Sequence, residues 1–322
     1  MPTGKSGWMF TKDAMIFLRN GRVIIKIPLT ELGTLMRMWR NLAKGKHVFN
    51  LESFLNLFLQ STGFDPVEVE EATKLQYSLL PTEIPRIEGY SIGVLYRSKG
   101  IVSGDYYDFI PFPKGRWGIC VGDAKGHGIA AGLMMSAAKS LVQAYSSHID
   151  DPSYILAEIS KIFAKTFGQG NFMTMIYCLL DPNKHTLKIA SAGHPPALLK
   201  TQGEEIKIKR IPKKGFPALG FPLIQTSSSG NIMPEVNLEI GNILLMYTDG
   251  ILEAESKVKI KSKRTEKRMM GIGGLEYLIK NAFDYGTASF QASNVISYLQ
   301  YVLDHYYDVT DDITAIAILR MK

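Results

Sequence analysis

From Tyr90 onward, short apolar runs alternate with glycine, proline and acidic residues, a pattern that predicts strands separated by turns. The predicted strands are 90–97, 106–111, 117–122, 172–180, 186–191, 197–200, 243–247 and 313–319. Three longer segments follow a helical period instead. Ile129, Leu133, Ala137 and Leu141 share one face after Gly128, and Asp151-Pro152 opens a second helix carrying Ile155, Ile159, Ile162 and Phe163. Ile296, Leu299, Leu303 and Tyr306 recur on a third. Strands in succession, then paired helices, then more strands predict a layered α+β fold, not a regular βαβ alternation.

The first part of the chain reads differently. Residues 1–64 hold a β-like run, Val23-Ile24-Ile25-Lys26-Ile27, and helix-like stretches at 32–42 and 51–59, with no motif that carries chemistry. Asp65-Pro66 is a helix-start signal. Val69, Ala72, Leu75 and Leu79 then form an apolar stripe, Glu70 and Lys74 an i,i+4 pair, and Pro81 and Pro85 end the segment. Three regions follow: an N-terminal extension at 1–64 with a regulatory role expected, a linker helix at 65–88, and a main domain at 89–322.

With 322 residues, 46% of them hydrophobic, the chain can bury a substantial core. Its net charge of +7 is local: seven basic residues between Lys257 and Arg268, against Glu266 alone, leave the remainder near neutral. The charge therefore marks one loop and predicts no nucleic-acid surface. Cys120 and Cys178 each sit in an apolar strand, as expected for buried thiols in a reducing compartment. Charges interrupt every long apolar stretch, so no transmembrane segment is predicted, and the N-terminus lacks a secretory pattern. The expected location is the cytoplasm.

Four acidic motifs fall at the ends of strand-like runs: Ser103-Gly104-Asp105-Tyr106-Tyr107-Asp108, Gly122-Asp123, Tyr247-Thr248-Asp249-Gly250 and Asp311-Asp312-Ile313-Thr314. Aspartate and glycine are common in turns, so each alone is weak. Together they predict carboxylates converging at strand mouths, an oxygen-rich site suited to Mg2+ or Mn2+ rather than zinc. Asp105 and Asp108 are three apart in an extended run and point to opposite faces; Asp105 is the expected ligand.

These words resemble a known family. The helix at 72–81 (ATKLQYSLLP), the 103–108 motif, Gly122-Asp123-Ala124-Lys125-Gly126-His127-Gly128 and Asn171-Phe172-Met173-Thr174 occur in its order. Ser191-Ala192-Gly193-His194-Pro195-Pro196, Pro217-Ala218-Leu219-Gly220, Tyr247-Thr248-Asp249-Gly250 and Asp311-Asp312-Ile313-Thr314 complete the series. Residues 66–322 are similar to the metal-dependent protein phosphatase (PP2C-like) superfamily, and more narrowly to its bacterial SpoIIE/RsbU-type branch.

The resemblance implies a central antiparallel β-sandwich flanked by α-helices. It also implies two divalent cations, Mn2+ or Mg2+, and hydrolysis of phosphoserine or phosphothreonine on a partner protein. By position, Asp123 would bridge both ions and Asp105 would hold one; these two are the expected catalytic residues. Asp249 and Asp311 would complete the opposite metal, Ala124 would offer its backbone carbonyl, and Asp312 would stand just behind. The implied partner is a phosphorylated STAS-type anti-anti-sigma factor in a partner-switching pathway. A homodimer through the linker helix is a further expectation.

Such a metal pair acidifies a water and neutralises charge on the phosphoryl oxygens. The alternative is a catalytically silent PP2C-fold binding or scaffold module. His127 is weighed as a general acid, although Lys125 occupies the register of the family's implicated histidine, and His194 is read as part of a rigid turn. Gly126 and Gly128 lack the spacing of a nucleotide-binding loop.

Overall fold

The computed structural model describes residues 7–10, 14–19, 22–28, 66–100, 102–168, 170–202, 205–221, 235–257, 268–281 and 290–322. The helix-like stretches 32–42 and 51–59, the helix-start residue Asp65 and the basic residues within 258–267 lie outside them. The chain forms two compact units, Met1–Tyr77 and Ser78–Lys322. In the first, β1 (Gly7–Phe10), β2 (Ala14–Arg19) and β3 (Arg22–Pro28) make an antiparallel meander, which accounts for the β-like run at Val23. Helix α1 (Pro66–Leu79) also begins there. Of its predicted stripe, Leu75 is exposed and Leu79 half-buried.

The second unit contains two five-stranded antiparallel sheets. One orders its strands β10 (Lys207–Ile211), β9 (Ala197–Thr201), β12 (Ile243–Tyr247), β15 (Ile313–Arg320) and β4 (Tyr90–Arg97). The other orders β11 (Val236–Asn237), β8 (Thr186–Ala192), β7 (Met173–Asp181), β6 (Arg116–Ala124) and β5 (Asp105–Phe112). A short pair, β13 (Glu255–Ser256) with β14 (Tyr307–Asp308), lies apart.

Strands buried on both faces read as continuous apolar runs, and β12 and β15 show why. Leu244 and Met246 of β12, with Ile316 and Ile318 of β15, join the core shared with the β5–β8 sheet. Their neighbours Ile243, Leu245, Ala315, Ala317 and Leu319 join a second core on the opposite face. Helices α2 (Ile129–Ser146) and α3 (Pro152–Phe167) pack on the β5–β8 sheet. Helices α5 (Gly271–Asn281) and α6 (Ala292–Tyr306) cover the β4/β9/β10/β15 sheet, and the single-turn α4 (Asp249–Leu252) follows β12. The start of α3 is set as predicted: Asp151 Oδ1 accepts from the backbone N–H groups of Ser153 and Tyr154, with Pro152 next in line.

The expected α+β class, with antiparallel sheets stacked between helices, is the class observed. Pattern reading missed α5, because Gly271, Gly273 and Gly274 in its first turn are poor helix formers. It also missed β10, whose alternation of lysine and isoleucine leaves an exposed edge strand.

Candidate functional site

Asp105 opens β5 and Asp123 lies near the end of β6. The antiparallel register makes them direct partners, so their carboxylates stand side by side on one face of the sheet. Asp249 follows β12 of the other sheet after Thr248, and Asp311 precedes β15. The β12–β15 pairing brings these two turns together: a Cβ built on Gly250 would lie 2.0 Å from the Asp312 carbonyl and 3.3 Å from Asp311 Cβ. That approach admits only glycine.

Hydrogen bonds join the acids across the two sheets. Asp105 is 1% exposed, and its Oδ2 accepts from Thr248 Oγ1 at 2.9 Å and from Thr314 Oγ1 at 2.6 Å. Thr248 Oγ1 in turn accepts the Thr314 backbone N–H at 2.9 Å. Asp312 is turned elsewhere. Its Oδ2 accepts from Ser103 Oγ at 2.8 Å and the Gly104 N–H at 2.9 Å, and its Oδ1 from the Lys99 N–H at 2.6 Å. It therefore holds the loop that leads into Asp105.

Asp108 faces away from this group, in keeping with the alternation along β5. Its Oδ2 accepts from Tyr106 Oη at 2.9 Å, Lys139 Nζ at 2.9 Å and Gln143 Nε2 at 2.7 Å, which ties the strand to α2.

The electrostatics register the crowding of like charges. Burial and the neighbouring carboxylates of Asp105, Asp249, Asp311 and Asp312 push Asp123 up to about 9. Burial lifts Asp105 well above the usual carboxylate range, against the hydrogen bonds from Thr314 and Thr248. Asp249 is raised by burial and then by Asp311, partly offset by backbone N–H groups at its own helix start. Glu253, one turn further on, is raised by burial and by Asp249 and Asp311.

Such an all-oxygen set fits hard divalent cations, which would relieve the repulsion. A further observation concerns Gly104, where a Cβ would meet the Ala124 carbonyl at 2.8 Å and Asp123 Oδ1 at 3.4 Å. A bare glycine keeps the space over that carbonyl open. Among the described residues, no group of three or more Asp, Glu, His or Cys side chains is placed to hold a metal ion as the side chains stand.

His127 is exposed, on a loop between Gly126 and Gly128, both at positive φ. Lys125 Nζ donates to the Gly170 carbonyl at 2.8 Å and lies 5.4 Å from the centre of the Phe172 ring. Thr248, Thr314 and Ser103 also contribute, and each stands inside one of the acidic motifs, but a hydroxyl beside an acid carries no spacing signal of its own.

A match to the family described as Stage II sporulation protein E (SpoIIE) covers residues 113–320, well over half of the chain. Phosphoserine phosphatase RsbU of Bacillus subtilis is 27% identical over 253 residues, covering 79% of this chain and 70% of its own. Phosphoserine phosphatase RsbP of the same organism is 26% identical, covering 58% of this chain and 45% of its own. Among solved structures, the SiaA-PP2C domain of Pseudomonas aeruginosa aligns with TM-score 0.62 at 20% identity, over 83% of this chain and 99% of that one. The PP2C phosphatase domain of SpoIIE from Bacillus subtilis, with a fragment of its regulatory domain, aligns with TM-score 0.55 at 18% identity, over 72% and 62%. The fold is thus PP2C-like. By the extent of the family match, the chain belongs to the SpoIIE family, the bacterial SpoIIE/RsbU-type branch of the PP2C-like phosphatases.

Proposed function

We propose that this chain is a divalent-cation-dependent serine/threonine protein phosphatase acting on a phosphorylated partner protein. One observation carries the reading: Asp105, pinned by Thr314 of β15 and by Thr248 just past the end of β12, stands directly across from Asp123, whose carboxyl feels Asp105, Asp249 and Asp311 together. In this reading Asp123 would be shared by two cations, Mn2+ or Mg2+, Asp105 would hold one, Asp249 and Asp311 would hold the other, and Ala124 would contribute its carbonyl. Once bound, such a pair supplies charge neutralisation for a phosphoryl group and acidifies a water for in-line attack.

The chain's own residues account for the rest. Thr248 and Thr314 fix the Asp105 carboxylate before any cation arrives, so less ordering is needed on binding. Asp312 holds the Lys99–Gly104 side of the mouth through three donors. The uncompensated acids would repel a phosphate dianion, which makes substrate binding depend on the cations.

The substrate that family resemblance favours is a phosphorylated STAS-type anti-anti-sigma factor, in keeping with the relatives named phosphoserine phosphatase. A cytoplasmic setting and a homodimer through α1, with 1–64 as the regulatory input, complete the proposal. Leu75 and Tyr77 of α1 are 65% and 52% exposed. Hydrolysis of p-nitrophenyl phosphate tests the reading. Chelator-stripped protein should be inactive, Mn2+ should restore turnover, and Asp123→Asn should abolish it. Full activity after exhaustive chelation would instead contradict a cation-dependent enzyme.

A further inference from the structure

His194 lies in the turn between β8 and β9, where the chain crosses from one sheet to the other, and is 6% exposed. Its Nε2 is 3.0 Å from the Tyr247 carbonyl and its Nδ1 is 2.8 Å from Thr174 Oγ1. A carbonyl only accepts, so Nε2 carries the proton and Nδ1 receives the threonine hydroxyl. Both partners adjoin the acids. Thr174 is the cross-strand neighbour of Asp123, and its hydroxyl lies 3.5 Å from the Asp123 backbone carbonyl. Tyr247 is followed directly by Thr248, which donates to Asp105, and by Asp249.

The imidazole is not what holds its own turn. Gly193 N–H donates to the Phe216 carbonyl at 2.8 Å, Phe216 N–H to the Ser191 carbonyl at 2.7 Å, and Ser191 Oγ to the His194 carbonyl at 2.9 Å. The turn is thereby fixed through backbone and serine contacts, and the ring is left to connect β7 to β12. Burial depresses its basicity to about 3, so the ring stays neutral and keeps one donor and one acceptor.

We propose that His194 is a positioning residue that sets the separation of β7, the strand paired with Asp123, from the end of β12, which leads into Asp249, and through it the cation affinity of the site. The inference rests on the reading that these aspartates hold cations.

Mn2+ titration calorimetry on the full chain tests it, with thermal unfolding of the metal-free protein recorded alongside. His194→Phe, which fills the space without either hydrogen bond, should weaken Mn2+ binding about tenfold or more. Thr174→Val should weaken it in the same sense, and the double variant should be no weaker than His194→Phe alone, since both cut one connection. His194→Gln keeps a donor toward Tyr247 and should recover most of the affinity. At saturating Mn2+, KM for p-nitrophenyl phosphate should be unchanged while the Mn2+ concentration for half-activation rises. Wild-type Mn2+ affinity in folded His194→Phe, or in Thr174→Val if the phenylalanine variant fails to fold, overturns the positioning role. Asp123→Asn separates the two ideas. If it loses Mn2+ binding while the His194 variants do not, only the positioning role fails; if it binds Mn2+ like wild type, the cation reading falls and takes this inference with it.

Discussion

Thr314 Oγ1 donates a 2.6 Å hydrogen bond to Asp105 Oδ2, joining β15 of one sheet to β5 of the other across 209 positions of sequence. A buried carboxylate held by hydroxyls from an opposing sheet is oriented in advance, and its geometry depends on those hydroxyls. Thr314→Val, nearly isosteric, should weaken Mn2+ binding about tenfold, with Thr314→Ser close to wild type. Calorimetric titration of the three proteins reads this directly.

The two acids of the 103–108 motif should separate cleanly. Asp108 anchors α2 through a partly buried ion pair with Lys139, 2.9 Å long. Asp108→Asn should lower stability by about 1–3 kcal/mol and leave Mn2+ affinity within about twofold. Asp105→Asn should do the reverse: lose Mn2+ binding, while the metal-free fold keeps or gains stability because a buried like charge is removed. Chemical denaturation of metal-free samples beside Mn2+ titration distinguishes the pair.

Gly104 supplies a steric test of the carbonyl at Ala124. Gly104→Ala places a methyl 2.8 Å from that oxygen, closer than a carbon and a carbonyl tolerate, so the strand pair must shift. Mn2+ affinity should fall about tenfold or more even though no ligand side chain is altered. Unchanged affinity would mean that the space above Ala124 is not part of the site.

The strand-and-helix pattern of 90–322 was legible because both sheets are buried and their cores alternate along β12 and β15. The acids were legible because turn residues punctuate apolar runs at four distant places. The sequence could not disclose the partners of those acids: Thr248 and Thr314 look like ordinary strand-end threonines until β12 and β15 are paired. His194 read as a turn residue for the same reason. Its function depends on Tyr247 and Thr174, 53 positions downstream and 20 upstream, and local spacing says nothing of either.

The His194 imidazole makes a pH prediction. Its folded-state value of about 3 lies below the ordinary value of 6.5, so the neutral form is the one folding favours. Its contribution is fully present above pH 6.5 and is lost as pH falls below that, by roughly 2 kcal/mol at pH 5. The raised carboxyls act in the opposite sense in metal-free protein, since their folded-state values exceed the unfolded ones and protonation stabilises the fold. The difference between wild type and His194→Gln therefore isolates the imidazole: the gap in unfolding free energy should narrow from pH 7 to pH 5. A gap independent of pH would indicate that the ring is not held neutral.

In the proposed enzyme Asp105, Asp123, Asp249 and Asp311, drawn from four separate segments, jointly hold two divalent cations. Mn2+ titration calorimetry on the chelator-stripped 322-residue chain tests it most directly. The predicted result is two Mn2+ per chain for wild type and loss of that binding in Asp123→Asn, because the proposed role of that carboxylate is to serve both ions. Equal Mn2+ stoichiometry and affinity in the two proteins would contradict it.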